Sequence, residues 1–234
     1  MDNKNYLFGK NAILDALKNK QKITLIKATS NHLKFLKQLN LKYEIVSKSF
    51  FNQFQLNHQE IIAYLESDVV SKISIDDIIK QSNEFEKIVM LDSINDPHNF
   101  GAIIRSCVAF NIKYIIYKKY NQVGINDQVI KTSMGAINYI KLCEVSNLSY
   151  AIDKLKKNDY WVYGSSLTEN SIDISKIKIS KRMVIVLGNE NKGIRNLIQK
   201  ECDFLFKIPM TNLVQSLNVS VACGIILSNL FTRN

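Results

Sequence analysis

Proline and glycine are scarce in this chain, and their positions are correspondingly informative. Two prolines, Pro97 and Pro209, and eight glycines occur among 234 residues. Both prolines and three of the glycines (Gly101, Gly188, Gly193) fall within three segments, 88–105, 183–193 and 206–222. Proline fixes φ, and glycine allows conformations or close approaches closed to other residues. Cysteine is equally sparse: Cys107, Cys143, Cys202 and Cys223 never form a Cys-x-x-Cys pair, and the three histidines are scattered. That spacing excludes zinc and redox motifs, so no metal is expected and the cysteines read as small buried thiols. No apolar run approaches the roughly 18 residues of a membrane span, and Met1-Asp-Asn-Lys-Asn-Tyr6 has no signal-peptide pattern. A cytoplasmic protein without membrane association is expected.

Familiar nucleotide and hydrolase motifs are missing as well. Gly-x-Gly-x-x-Gly occurs nowhere, which argues against an ordinary Rossmann site for a dinucleotide or a methyl donor. Gly188 and Gly193 have the outer spacing of a phosphate-binding P-loop, but Ile194-Arg195 stand where Lys-Ser/Thr belongs. There is no Gly-x-Ser-x-Gly elbow and no Ser-His-Asp ordering.

What is present is positive charge, net +10 with a pI near 9.3, which favours a polyanionic partner such as nucleic acid. Residues 1–65 hold ten Lys against four acids, and 87–234 hold nineteen basic against eleven acidic residues. Between them, 66–86 holds two Lys and six acids, as a linker between two basic modules would. Only four of the 31 basic residues are arginine (105, 182, 195, 233), whose planar fork lysine cannot replace.

Segments 6–66 read as a small α/β module, with a short helix after the Gly9 turn within 6–19 (apolar at Ile13, Leu14 and Leu17), helices over 31–39 and 47–54, and strands over 23–28, 43–46 and 61–66. Ser74 is placed to cap a helix opening on Asp76 and Asp77. From Lys87 onward the strands become continuous apolar runs, Ile88–Leu91, Tyr114–Tyr117, Tyr160–Tyr163 and Met183–Leu187, alternating with helical segments. That pattern predicts a parallel sheet covered on both faces, with ligands bound beyond the carboxyl ends of its strands. The three special segments all end strands there, so one composite site is expected. Asn99 and Ser216 stand where helix N-caps would.

The motifs Asn99-Phe-Gly-Ala-Ile-Ile-Arg105, Val186-Leu-Gly-Asn-Glu-Asn-Lys-Gly193, and Ile208-Pro-Met210 with Ser216-Leu-Asn-Val-Ser-Val-Ala222 occur in that order along the chain. Together they resemble the SpoU (TrmH-like) branch of the SPOUT RNA 2′-O-ribose methyltransferases. The amino-terminal Phe8-Gly-Lys-Asn-Ala-Ile-Leu and His58-Gln-Glu-Ile-Ile-Ala resemble the 23S rRNA guanosine subgroup. The resemblance implies an L30e-like RNA substrate-binding domain over 1–68, a linker over 69–86 and a SPOUT domain with a carboxyl-terminal trefoil knot over 87–234. It implies S-adenosylmethionine as cofactor, lined by Leu187, Gly188, Ile208, Met210 and Leu217. It implies catalytic roles for Asn99, Arg105, Glu190, Ser216 and Asn218, with Glu190 orienting Arg105 or the nucleotide. It also implies a homodimer acting on RNA: an rRNA guanosine first, with tRNA ribose or a non-catalytic assembly role as alternatives.

Overall fold

A computed structural model of the protein describes residues 6–54, 58–66, 70–211 and 213–233. Two compact units emerge, one formed by Met1–Ser71 with Met134–Tyr139 and the other by Lys72–Ser133 with Ile140–Asn234. The expected boundary at residue 68 falls outside the described residues.

In the first unit the elements are β1 (Tyr6–Phe8), α1 (Lys10–Lys18), β2 (Ile23–Ala28), α2 (Leu33–Leu39), β3 (Tyr43–Ile45) and β4 (Ile61–Leu65). The sheet order is β1-β4-β2-β3, mixed rather than parallel: β4 runs antiparallel to both β1 and β2. Residues 48–53 form a 3-10 helix, not the α-helix expected, with Phe51 buried and Phe50 against it edge to face. The α1 helix buries Ile13 and Ala16 while Leu14 is exposed, so its inward stripe is narrow.

The edge strand β5 (Ser71–Lys72) spans the boundary, and α3 (Ile75–Gln81) follows in the second unit. These fall in the stretch expected to be a linker. Ser74 accepts a hydrogen bond from the Asp77 N–H, as its cap position predicts, and Ile75 and Ile78 are buried in the core. The remaining elements alternate: β6 (Glu86–Asp92), α4 (Pro97–Ala109), β7 (Tyr114–Lys118), α5 (Asp127–Thr132), β8 (Lys141–Val145) and α6 (Leu148–Lys156). After them come β9 (Trp161–Ser165), β10 (Ile172–Asp173), β11 (Arg182–Gly188), α7 (Asn196–Glu201), β12 (Phe204–Lys207) and α8 (Val219–Thr232).

The eight strands run β10-β12-β9-β11-β6-β7-β8-β5, and every pair from β10 to β8 is parallel. Ile88, Met90, Val184 and Val186 face a core shared with α3, α6 and α7. The alternate residues, Val89, Leu91, Ile185 and Leu187, are equally buried, and α4 packs against both α5 and α8. Burial on both sides explains why these strands are apolar throughout. Gly101 lies inside α4 and serves packing: a Cβ there would stand 2.6 Å from the Thr132 side chain and 2.9 Å from the Val129 carbonyl oxygen. Among the described residues, no helix is long and apolar enough to cross a membrane.

At the centre of the sheet, β6 and β11 pair in register from Glu86↔Arg182 to Asp92↔Gly188, so their carboxyl ends stand side by side. The chain leaves β6 toward β7 and β8, then returns to place β9, β11 and β12 on the opposite side. Crevices of open α/β sheets lie at such reversals.

Candidate active site

Three loops converge at this edge, each held by its own sequence chemistry. After β6, Ser93 takes a left-handed φ of 69°, and Asp96 Oδ1 accepts the His98 N–H at 2.8 Å. Pro97 then occupies the first helical position, where a missing N–H costs nothing. The N-cap of α4 is thus Asp96, not Asn99, which lies inside the first turn and is 7% exposed.

After β11 the chain doubles back. Asn189 and Gly193 exchange backbone hydrogen bonds of 2.9 Å, and Asn189 Oδ1 accepts the N–H groups of Asn191 (3.0 Å) and Lys192 (3.1 Å). After β12, Ile208-Pro209-Met210 leads to Asn218, whose Oδ1 accepts the Ser220 N–H at 2.8 Å and its hydroxyl at 2.6 Å. Asn218 is therefore the cap of α8; Ser216 precedes it in an exposed position.

Side chains tie the three loops into one relay. Asn218 Nδ2 donates to Asn99 Oδ1 at 3.0 Å, and Asn99 Nδ2 donates to Glu190 Oε1 at 2.9 Å. Asn189 Nδ2 donates both to Glu190 Oε2 at 3.2 Å and to the Ser93 carbonyl at 2.9 Å. Both Glu190 oxygens are thus oriented by amides, which fixes the carboxylate while leaving each oxygen capacity to accept again. The expected pairing of Glu190 with Arg105 is not found among the described residues. Arg105 is exposed on α4, six residues beyond Asn99 and so about 9 Å further along the helix axis.

A deeper clamp holds the second loop down. Asp92, fully buried, accepts from Arg195 Nε at 2.7 Å, from the Arg195 N–H at 2.9 Å and from the Ser93 hydroxyl at 3.1 Å. Removing one partner of a buried ion pair costs about 3–5 kcal/mol. Arg195 is 41% exposed and two other donors would persist, so Arg195→Ala is expected to lower unfolding free energy by about 2 kcal/mol, read from urea denaturation.

Two clefts adjoin the relay. The larger, about 590 Å³, is lined by all five expected cofactor residues, Leu187, Gly188, Ile208, Met210 and Leu217, and by Ser216. Its size and its mix of backbone groups and apolar side chains suit a small organic ligand. A fourth wall, Ser165–Thr168 after β9, went unread in the sequence, although Gly164 with small polar residues after it at a strand end was the available signal. Asn189, Asp92 and Arg195 were also missed. The smaller cleft, about 390 Å³, shares Asn189, Glu190 and Asn191 with the first and adds Asn95, Asp96 and Asn99.

Cysteine takes no part. Burial raises Cys143 and Cys202 to about 12, and burial together with the neighbouring Cys223 raises Cys107 well above its ordinary value. Those three thiols stay protonated near neutrality. Ellman's reagent at about pH 8 is expected to react with them within minutes only after denaturation. Cys202 is only half-buried, unlike the buried thiols expected, so rapid labelling of Cys107 or Cys143 in the native protein is the result that would contradict their burial.

Known proteins resemble this chain across both the amino-terminal and the carboxyl-terminal regions. Residues 86–228 match the SpoU rRNA methylase family, and residues 6–68 match the RNA 2′-O ribose methyltransferase substrate-binding domain. A Mycoplasma genitalium protein named as an uncharacterized tRNA/rRNA methyltransferase is 43% identical, covering 94% of this chain and 94% of its own length. The 23S rRNA (guanosine-2′-O-)-methyltransferase of Coxiella burnetii is 36% identical over 82% of this chain and 77% of its own. Among solved structures, the SpoU methyltransferase AviRb from Streptomyces viridochromogenes, in complex with its cofactor AdoMet, superposes with a TM-score of 0.79. It covers 97% of this chain and 89% of its own at 18% identity. With residues 86–228 and 6–68 both matched, the chain belongs to the SpoU rRNA methylase family and is an RNA methyltransferase of that family.

Proposed function

We propose that the protein transfers a methyl group from S-adenosylmethionine to the ribose 2′-hydroxyl of an RNA nucleotide, a guanosine of 23S rRNA. The observation that carries this reading is the Asn218–Asn99–Glu190 relay, which sets oriented polar groups against the larger cleft. S-adenosylmethionine, the cofactor of SpoU methyltransferases, occupies that cleft and supplies an already activated sulfonium methyl. The work left to the chain is alignment of a weak nucleophile and help in removing its proton.

Gly188, Ile208 and Leu217 hold the donor in place, with Leu187 and Met210 beside them. Glu190, locked by Asn99 and Asn189, accepts a hydrogen bond from the sugar and so fixes its orientation. Ser216 lines the same cleft and has no hydrogen-bond partner among the described residues, so its hydroxyl is available to the nucleotide. Arg105 grips the phosphate beside the target ribose through its charge, since guanidinium rarely gives up a proton in proteins. Its exposure fits a homodimeric enzyme: α4 and α8 pack together, and Val221 and Ile225 on α8 are 50% and 40% exposed. Pairing two chains through this apolar face brings Arg105 to the interface. The order of the strands, with β12 beyond β9 and α8 returning onto α4, supports the trefoil knot as well.

The substrate-binding domain and the identity with the Coxiella enzyme support rRNA over tRNA. Purified protein with methyl-labelled S-adenosylmethionine is expected to label 23S RNA taken from cells lacking the gene, at a 2′-oxygen. Label confined to tRNA would move the substrate, and no label on any RNA would overturn the reading.

A further inference from the structure

The lining of the smaller cleft is unlike that of a phosphate site. Its six residues, Asn95, Asp96, Asn99, Asn189, Glu190 and Asn191, bring four amides, two carboxylates and no cation. A phosphate would meet two like charges there. Three of the six (Asn99, Asn189, Glu190) are consumed by the relay that joins the loops. The other three are not. Asp96 Oδ1 accepts the His98 N–H and keeps capacity for a second donor, and Oδ2 has no partner among the described residues; the side chains of Asn95 and Asn191 likewise have none. All three line this cleft and are exposed to solvent.

Uncommitted acceptors flanked by amides at the mouth of a cleft are what a nucleobase edge needs. Of the four bases, guanine alone sets two donors side by side, N1–H and the N2 amino group, in the spacing that a carboxylate accepts. Adenine and cytosine would turn a ring-nitrogen lone pair toward the same oxygens, and uracil offers one donor between two acceptors. Guanine O6, beside N1–H, would then meet an amide N–H of the kind Asn95 and Asn191 supply.

We propose that this second cleft receives the target base, and that Asp96 selects guanine by accepting its N1–H and N2–H groups, with Asn95 and Asn191 on either side. The assignment rests on the RNA methyltransferase reading above and adds to it the groups that choose the base. Asp96 is then a specificity residue that also starts α4, so base selection and helix initiation share one side chain.

The test uses Asp96→Asn, which keeps an N-capping oxygen while replacing the free acceptor with a donor. Its substrates are a mapped target RNA and the same RNA with inosine, which lacks the N2 amino group, at the modified position. Asp96→Asn is expected to melt like the parent and to bind S-adenosylmethionine equally well in calorimetry. Its kcat/KM on the guanosine RNA should fall about 10–100-fold, as for loss of one bidentate base contact. The parent should lose a comparable factor on inosine RNA, and the variant should lose little more there. Equal rates for parent and variant on guanosine RNA, or equal further losses on inosine, would overturn the role of Asp96. A parent enzyme whose label falls on adenosine, cytidine or uridine overturns guanine selection yet leaves RNA methylation standing. No labelling by the parent overturns both.

Discussion

Gly188→Ala is expected to abolish S-adenosylmethionine binding in calorimetry and to lower the melting temperature sharply. A Cβ at this position would stand 2.1 Å from the Gly193 carbonyl carbon and from the Ile194 nitrogen, both backbone atoms. Neither side can yield cheaply. Residue 188 is fixed by register with Asp92 on β6, and the opposing backbone is fixed by the Asn189–Gly193 bridge and by Arg195 on Asp92. Overpacking against side chains costs about 1–3 kcal/mol, and rigid backbone puts this case at or above the upper end, about 3 kcal/mol. Relief requires the 189–193 turn to swing away, which removes one wall of the larger cleft and pulls Glu190 out of the relay. An alanine variant with parental affinity would show that the turn yields without moving the cleft.

Arg105→Ala is expected to leave cofactor affinity within about twofold of the parent and to lower kcat by about 10²–10³, the loss typical of deleting one group that stabilises a transition state. The separation comes from position: Arg105 lines neither cleft, so a change there alters no residue of the cleft proposed for the cofactor. Arg105→Lys should recover only part of the loss, because a point charge cannot reproduce a planar two-pronged grip on phosphate. Single-turnover kinetics with saturating cofactor reads both variants. Unchanged turnover in Arg105→Ala would remove it from the mechanism.

What the sequence disclosed depended on how local the signal was. Met183–Leu187 and Ile88–Leu91 announce buried parallel strands because both faces are covered, and nothing else explains unbroken apolar runs. The loops after them stood out through Gly188, Gly193 and Pro97. Lys141–Val145 carried no strand signal, since its burial is mixed, and the two-residue edge strands β5 and β10 are too short to pattern at all. Residues 47–54 read as a helix, and the 3-10 turn found there puts Phe50, Phe51 and Phe54 on nearly the same stripe that an α-helix would. Asn189, Asp92 and Arg195 were hidden for a different reason: their partners lie 96 and 103 positions away, and no window of sequence contains both ends. Arg105 and Glu190 were legible as separate motif residues, yet their relation was not. Glu190 is held by two asparagines rather than by the arginine.

The relay also orders events in time during protein synthesis. Asn218 is made 119 residues after Asn99 and 28 after Glu190, yet it donates the bond that closes the chain of contacts. A chain translated only through the first two motifs therefore carries Asn99 and Glu190 without the partner that closes the relay. Because the third loop supplies the last partner, the relay is complete only once the carboxyl-terminal segment has been made.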